Sequence, residues 1–136
     1  MKAFNGTANG CIAVRSKLYG EWQPWEWVNP PLYESIEYKT IERRRNSSVY
    51  VKLIHFGALP ANSTSSVYVG VGGSKICYVN CSSFGISSGE YQPFPMGMNG
   101  QMAAYFWIDS SGNLTVRTMQ DLSAYYGIFE LHYIKE

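Results

Sequence analysis

One stretch of the sequence decides the fold: M-A-A-Y-F-W-I-D-S-S-G-N-L-T-V-R-T, from Met102 to Thr118. Two runs rich in β-branched and aromatic residues flank the polar segment Asp109–Asn113. An Asp at the start of such a segment and a Gly near its end suit a tight turn, because glycine accepts a positive φ. The stretch therefore predicts a β-hairpin with strands over 102–108 and 114–118.

The same alternation recurs on both sides of this hairpin, interrupted by turn residues, which is typical of an all-β sandwich or barrel. In the last run, Phe129, Leu131 and Tyr133 are expected to share one face. In the longest run, Val49 and Val51 are expected to face away from Lys52 and its neighbours. The further predicted strands cover residues 36–41, 48–56, 66–71, 75–81 and 126–134.

Length and charge limit the classes of protein that fit. A chain of 136 residues suits one domain, and its net charge of +1 argues against a nucleic-acid partner. No apolar run approaches the roughly 20 residues of a membrane span, so we expect a soluble chain that does not insert into a membrane. The one basic cluster, Arg43–Arg45, is typical of a solvated turn, with a phosphate or acidic-sugar contact as the alternative.

Cysteine and histidine content indicates neither a disulfide framework nor a metal site. Cys77 and Cys81 would lie about 13 Å apart on a strand, which is beyond disulfide reach. With Cys11, His55 and His132 as the other candidate ligands, the spacing is not that of a zinc site. We expect buried free thiols, no metal and no cofactor.

The first forty residues have a different character. Trp22, Trp25 and Trp27 lie beside Pro24 and are followed by a proline pair. Because proline cannot donate to a strand ladder and restrains the residue before it, we expect an edge strand followed by an extended link.

Five short motifs follow one another along the chain. They are EWQPWEWVNPP (Glu21–Pro31), IEYKT (Ile36–Thr40), VYVK (Val49–Lys52), FGALPANS (Phe56–Ser63) and IDSSGNLTV (Ile108–Val116). In this order they resemble the C-terminal region of tail fibre and receptor-binding proteins of tailed phages and prophages, over nearly the whole chain. Two segments depart from that family: Arg43–Ser48 replaces a common W-x-G-K-P segment, and Asp121-Leu122 replaces a common Asp-Arg pair.

The resemblance implies a jelly-roll-like antiparallel β-sandwich at the tip of a virion tail appendage, within a homotrimer, that recognises the bacterial surface. It also implies a division of the chain. Residues 1–31 would be an N-terminal edge segment left over from a preceding knob-like module. Residues 32–136 would be the C-terminal sandwich domain.

Binding a surface carbohydrate requires exposed aromatic faces for sugar C–H groups and polar side chains for hydroxyls. Aromatic residues in strands are more often core, so loops are favoured places for such a site. Glu90–Gly100 is the most suitable loop, although a proline-stiffened crossover between sheets or a strip packed on another subunit is the more common explanation of such a segment. The candidate ligand-binding residues are Trp22, Trp25, Trp27, Tyr91, Phe94, Asn99, Tyr105, Trp107, Arg117 and Tyr125.

Catalysis is not expected. The turn explains Asp109, no Ser-His-Asp order is present, and Gly70–Lys75 lacks the spacing of a phosphate-binding loop. The sequence thus favours a non-catalytic module that binds a glycan. The alternative is a structural trimerisation module of a phage appendage, with the ligand site elsewhere in the parent fibre.

Overall fold

The computed structural model describes residues 2–3, 10–33, 36–85, 89–98 and 100–135. The described chain is nearly all-β, with one 3-10 turn at Gly73–Lys75 and no α-helix among these residues. None of its helices is long and apolar enough to span a bilayer.

Most strands belong to two sheets. The large sheet has the order β1 (Lys2–Ala3), β2 (Ile12–Val14), β5 (Glu26–Asn29), β6 (Glu37–Arg44), β7 (Ser47–Ala58), β14 (Tyr125–Ile134), β9 (Ile76–Gly85) and β10 (Tyr91–Pro93). The small sheet has the order β11 (Met96–Met98), β12 (Gln101–Ile108), β13 (Asn113–Thr118) and β8 (Thr64–Tyr68). The strands β3 (Lys17–Leu18) and β4 (Glu21–Trp22) form a separate pair. Neighbouring strands are antiparallel except β5 and β6.

The two sheets share one core, in a sandwich-like arrangement. Phe129 on β14 is fully buried, as predicted with Leu131 and Tyr133 for one face of that strand. Its ring centroid lies 6.1 Å from that of Phe56 on β7 and 5.0 Å from that of Phe106 on β12. One aromatic side chain thus contacts residues of both layers.

The predicted hairpin is confirmed. Ile108 pairs with Leu114 across β12 and β13, and Gly112 has a φ of +90°. The Asp109 carboxylate accepts hydrogen bonds from the backbone N–H of Ser111 at 2.9 Å and of Asn113 at 3.0 Å. The side-chain amide of Asn113 also donates to it, and these bonds hold the pKa of Asp109 below its usual value.

Strand ends differ from the predicted ones where pairing overrides local composition. β9 continues to Gly85 because its polar end is hydrogen-bonded on one side to β14 and on the other to β10. β8 covers Thr64–Tyr68 instead of 66–71, because Gly70 takes a φ of +74° and the chain leaves the sheet. The arginine cluster is only partly a turn, since β6 extends to Arg44 and the turn consists of Arg45 and Asn46.

The Glu90–Gly100 segment is not a simple loop. It contributes β10 to the large sheet and β11 to the small sheet, with a cis peptide bond between Phe94 and Pro95. The crossover alternative is therefore the one that the structure shows.

The N-terminal segment supplies one edge of the large sheet. Trp27 on β5 packs edge-on against Tyr38 of β6, with ring centroids 5.5 Å apart. Glu26 accepts two hydrogen bonds from Arg43, at 2.7 and 2.8 Å, and pairs with Lys39 at 2.8 Å. Whether residues 1–31 derive from another module stays a prediction, but β2 and β5 continue the sheet of the remaining chain.

The three cysteines are free thiols, as expected, but they are half-buried instead of buried. Cys81 donates to the carbonyl oxygen of Phe94 at 3.4 Å, and burial raises the pKa of its thiol.

Truncating Phe129 tests the shared core. Phe129→Ala should lower the free energy of unfolding by about 3–5 kcal/mol, because a cavity forms between the sheets. Chemical denaturation measures the loss. Tyr126→Ala on the same strand is the matched control: its side chain is exposed, and its effect should stay below about 1 kcal/mol. Equal effects of the two substitutions would contradict this description of the core.

The contacts of Glu26 predict a pH-dependent contribution to stability. Burial alone would raise the pKa of Glu26, but the hydrogen bonds and charges of Arg43 and Lys39 outweigh it and lower that pKa. A lowered pKa adds stability above the unfolded-state value, and this stability is lost as the pH falls through the folded-state value.

Glu26→Gln should therefore cost about 1 kcal/mol near neutral pH and almost nothing in strong acid. Urea denaturation of both proteins across this pH range gives the difference. Glu21→Gln, which alters an exposed carboxylate on β4, serves as the control. A cost for Glu26→Gln that is the same at all pH values would show that the lost contact is not electrostatic.

Candidate functional site

Two aromatic rings stack on one another on the outer face of the small sheet. Phe106 and Ile108 of β12 pack against the core, so Tyr105 and Trp107 point to the opposite face. The centroids of their rings are 5.7 Å apart with an angle of 29° between the planes. Trp107 is 43% exposed, which leaves a large part of this stack in contact with solvent.

Polar side chains continue from these rings across the sheet in two rows. Tyr105 pairs with Arg117 on β13, which pairs with Thr64 on β8. Arg117 donates to the hydroxyl of Thr64 at 3.1 Å, using one of its five N–H donors. The strand register therefore places an aromatic group beside a cation and a hydroxyl.

The second row has the same form. Trp107 pairs with Thr115, which pairs with Ser66, and the two hydroxyl oxygens lie 2.7 Å apart. We call these six residues the platform: Tyr105, Trp107, Arg117, Thr115, Thr64 and Ser66. An exposed tryptophan ring bordered by hydroxyls and a guanidinium can stack on an apolar ring face and hydrogen-bond polar groups at its rim.

The tryptophans of the N-terminal segment lie elsewhere and already have partners. The guanidinium of Arg15 lies 4.5 Å from the ring centroid of Trp22 and 4.6 Å from that of Trp25. Trp27 packs on Tyr38 and borders a groove of the large sheet. The structure thus separates these three candidates from Tyr105, Trp107 and Arg117, which it brings together.

The remaining candidates do not join the platform. Phe94 is a correction: its ring is buried against Phe106 and Phe129, so it is not available to a ligand. Tyr125 is half-buried against the same core. Tyr91 belongs to β10 and pairs with Phe84, while Asn99 falls outside the described residues.

A pocket of about 500 Å³ at one end of the sandwich was not predicted from the sequence. We call it the lysine pocket; its charged and phenolic lining residues are Glu37, Lys52, Lys75, Tyr133 and Lys135. The sequence contains one sign of this pocket: Lys52 is a cation within the alternating run of β7. Lys52 pairs with the buried Leu131 and so faces the inside of the sandwich.

Burial and neighbouring charges shift the ionisation of this pocket. The pKa of Lys52 is lowered by burial, and the charge of Lys135 adds to this effect while Glu37 opposes it. For Glu37, burial would raise the pKa, but hydrogen bonds from Lys135 and Tyr133 lower it. Burial and the neighbouring Glu37 raise the pKa of Tyr133, so this phenol stays protonated.

A buried histidine links three strands on the outer face of the large sheet. His132 stacks on Tyr78 with ring centroids 4.0 Å apart, and its Nε2 is hydrogen-bonded to Glu130. Tyr78 donates to Glu42 at 3.1 Å; burial, followed by this contact, raises the pKa of Tyr78 to about 12. Because Glu42 and Glu130 are hydrogen-bonded to Tyr78 and His132, these contacts join strands β6, β9 and β14.

Nowhere in the described part of the chain do three or more His, Cys, Asp or Glu side chains converge to hold a metal ion.

Comparison with known proteins gives no family to which the function can be tied. The chain matches no protein-family model, no curated protein and no solved structure. The geometry of the platform and the order of motifs in the sequence are therefore the features that bear on function.

Proposed function

We propose that this chain is a non-catalytic module that binds a bacterial cell-surface glycan, at the tip of a phage or prophage tail fibre. The observation that carries the binding function is the exposed stack of Tyr105 and Trp107 beside Arg117.

The chemistry of the platform supports a sugar ligand. A pyranose ring presents C–H groups on its faces and hydroxyls at its edge. The exposed part of the Trp107 ring, supported by the stacked Tyr105, would cover such a face, while Arg117, Thr64 and Ser66 lie where they would meet the hydroxyls. No carboxylate belongs to the platform, which supports binding without glycoside hydrolysis, since that reaction normally requires a pair of carboxyl groups.

Three parts of the proposal rest on the ordered motifs of the sequence: the place in the virion, the homotrimer and the jelly-roll-like connectivity of the strands. A trimer would present three platforms to one cell surface. Weak binding at each of them would then sum to a much higher avidity, because the second and third contacts form within the same complex.

A structural trimerisation module is the second candidate. Large side chains other than those of the platform are also exposed on or beside the small sheet: Tyr68 is 70% exposed, Met102 57% and Met119 45%. Exposed apolar surface of this kind is also what a subunit interface requires.

Replacing the tryptophan of the platform tests the binding function. Trp107→Ala should weaken binding to immobilised host-envelope glycans about tenfold or more, because a buried aromatic contact of roughly 1.5–3 kcal/mol is lost. A glycan array, followed by calorimetry on the glycan that binds, measures the change. Tyr126→Ala, an exposed aromatic substitution on the large sheet, is the control and should bind normally.

The mass of the assembly in solution separates the two candidates. If Trp107→Ala keeps full affinity but turns a trimer into monomers, the small sheet is a subunit interface and the binding function of the platform is wrong. A trimeric sample that binds no host-envelope preparation would also contradict the proposal.

A further inference from the structure

The lysine pocket lies where the two sheets separate at one end of the sandwich. Lys52 and Tyr133 reach it from the large sheet, and Ser110 reaches it from the turn between β12 and β13. The segment 70–75, which follows β8, closes another side. The described residues thus form a concave site of about 500 Å³ that is distinct from the platform.

The charges of this pocket do not balance. Glu37 accepts hydrogen bonds from the hydroxyl of Tyr133 and from Lys135. Lys135 also lies 4.3 Å from the ring centroid of Tyr50, so its charge has two partners. Lys52 and Lys75 are the lining cations left over, and the pocket carries a positive excess.

Lys52 is the cation whose position most requires an anion. Its ammonium group donates to the carbonyl oxygen of Val69 and lies 5.6 Å from the ring centroid of Tyr133. An ammonium group has three donors, and a half-buried one is costly unless it is paired. The nearby Glu37 is already held by Tyr133 and Lys135, so Lys52 retains donors that an incoming oxyanion would accept from.

Glycines keep this pocket open. A Cβ at Gly70 would lie 3.6 Å from Nζ of Lys52, and one at Gly72 would lie 2.5 Å from the carbonyl oxygen of Ser110. Larger residues would therefore fill the space beside the ammonium group or displace the turn. Lys75 is held at the rim, because its Nζ donates to the carbonyl oxygen of Lys135 at 2.6 Å.

We propose that the lysine pocket binds an oxyanion, a carboxylate or a phosphate, carried as a substituent on the glycan. The anion would lie between Lys52 and Lys75 and accept hydrogen bonds from both. The assignment of the anion to a glycan rests on the function proposed above, whereas the preference for an anion rests on the pocket alone.

The platform and the pocket are neighbours, which supports a single extended ligand. Tyr68 pairs with Asn113, one row beyond the pair of Ser66 and Thr115. The ring of Tyr68 lies 4.0 Å from the position of a Cβ at Gly70, which lines the pocket. A chain of sugars lying on the platform would reach the pocket by passing Tyr68.

The test is an NMR titration of the full ¹⁵N-labelled chain with sodium galacturonate, with galactose and with inorganic phosphate. Galacturonate and galactose differ only in the carboxylate at one carbon, so the pair isolates the charge. We expect galacturonate, phosphate or both to shift the amide resonances of Gly70, Gly72 and Ser74, and galactose to leave them unchanged. Comparison of the amide shifts caused by phosphate with those caused by galacturonate shows which oxyanion the pocket prefers.

Two substitutions assign the effect to the lysines. Lys52→Met, of similar length but uncharged, should weaken anion binding about tenfold or more, in line with the loss of a charge-assisted hydrogen bond. Lys75→Gln at the exposed rim should weaken it less and gives a second answer if Lys52→Met does not fold. Lys17→Gln on β3 makes the same change in net charge as Lys75→Gln away from the pocket and should have no effect.

The outcomes separate this inference from the proposed function. If no anion shifts the three resonances at millimolar concentration, or if neither Lys52→Met nor Lys75→Gln weakens the response, the inference is wrong. If the anion response is present and depends on the lysines while the glycan array is blank, the anion site is supported and the glycan function fails. Binding of neutral glycans through Trp107 without any anion response would support the platform and overturn the pocket.

Discussion

Both sheets contact the ring of Phe129, and the rest of the structure depends on that contact. β14 lies between β7 and β9 in the large sheet, so its inward side chains occupy the middle of the sandwich. With Phe106 of the small sheet packed against the same ring, β12 is held with Tyr105 and Trp107 on its outer face. The exposure of Tyr105 and Trp107 is therefore a consequence of how the core is filled.

Local patterns predicted those parts of the fold that local physics controls. The hairpin was predictable because Asp109 and Gly112 form the turn themselves, and the inward face of β14 followed from its period of two. The strands β10 and β11 were not, because each forms by pairing with an edge of a different sheet. Phe94 was wrongly predicted to contact a ligand for the same reason: its position between Pro93 and Pro95 gives no sign that its ring enters the core.

The candidate site was predictable only in part, for a related reason. Tyr105, Trp107 and Arg117 could be chosen as types of residue, but only the register of β12 with β13 places them in one surface. The lysine pocket draws on residues from Glu37 to Lys135, and that convergence cannot be obtained from spacing along the chain. The alternation on β7 showed only that Lys52 faces away from Val49 and Val51. That its face is turned inward, beside Glu37, depends on the pairing with Leu131.

A ligand surface and a subunit interface make different demands on the same aromatic residues, and the two proposals differ in how the polar groups of the platform would be satisfied. Cores of interfaces are depleted in charged groups other than arginine, and polar groups within them must be paired by the partner or by bridging water. Here the hydroxyls of Ser66 and Thr115 are paired within the sheet, as is one donor of Arg117. Thr115 is itself buried, whereas the exposed Ser66 and the other N–H donors of Arg117 lie beside the rings, where a ligand with many hydroxyls can use them without excluding all water. A trimer interface built on this face would have to pair the same groups with a different surface of the neighbouring copy, because a threefold contact is not self-complementary.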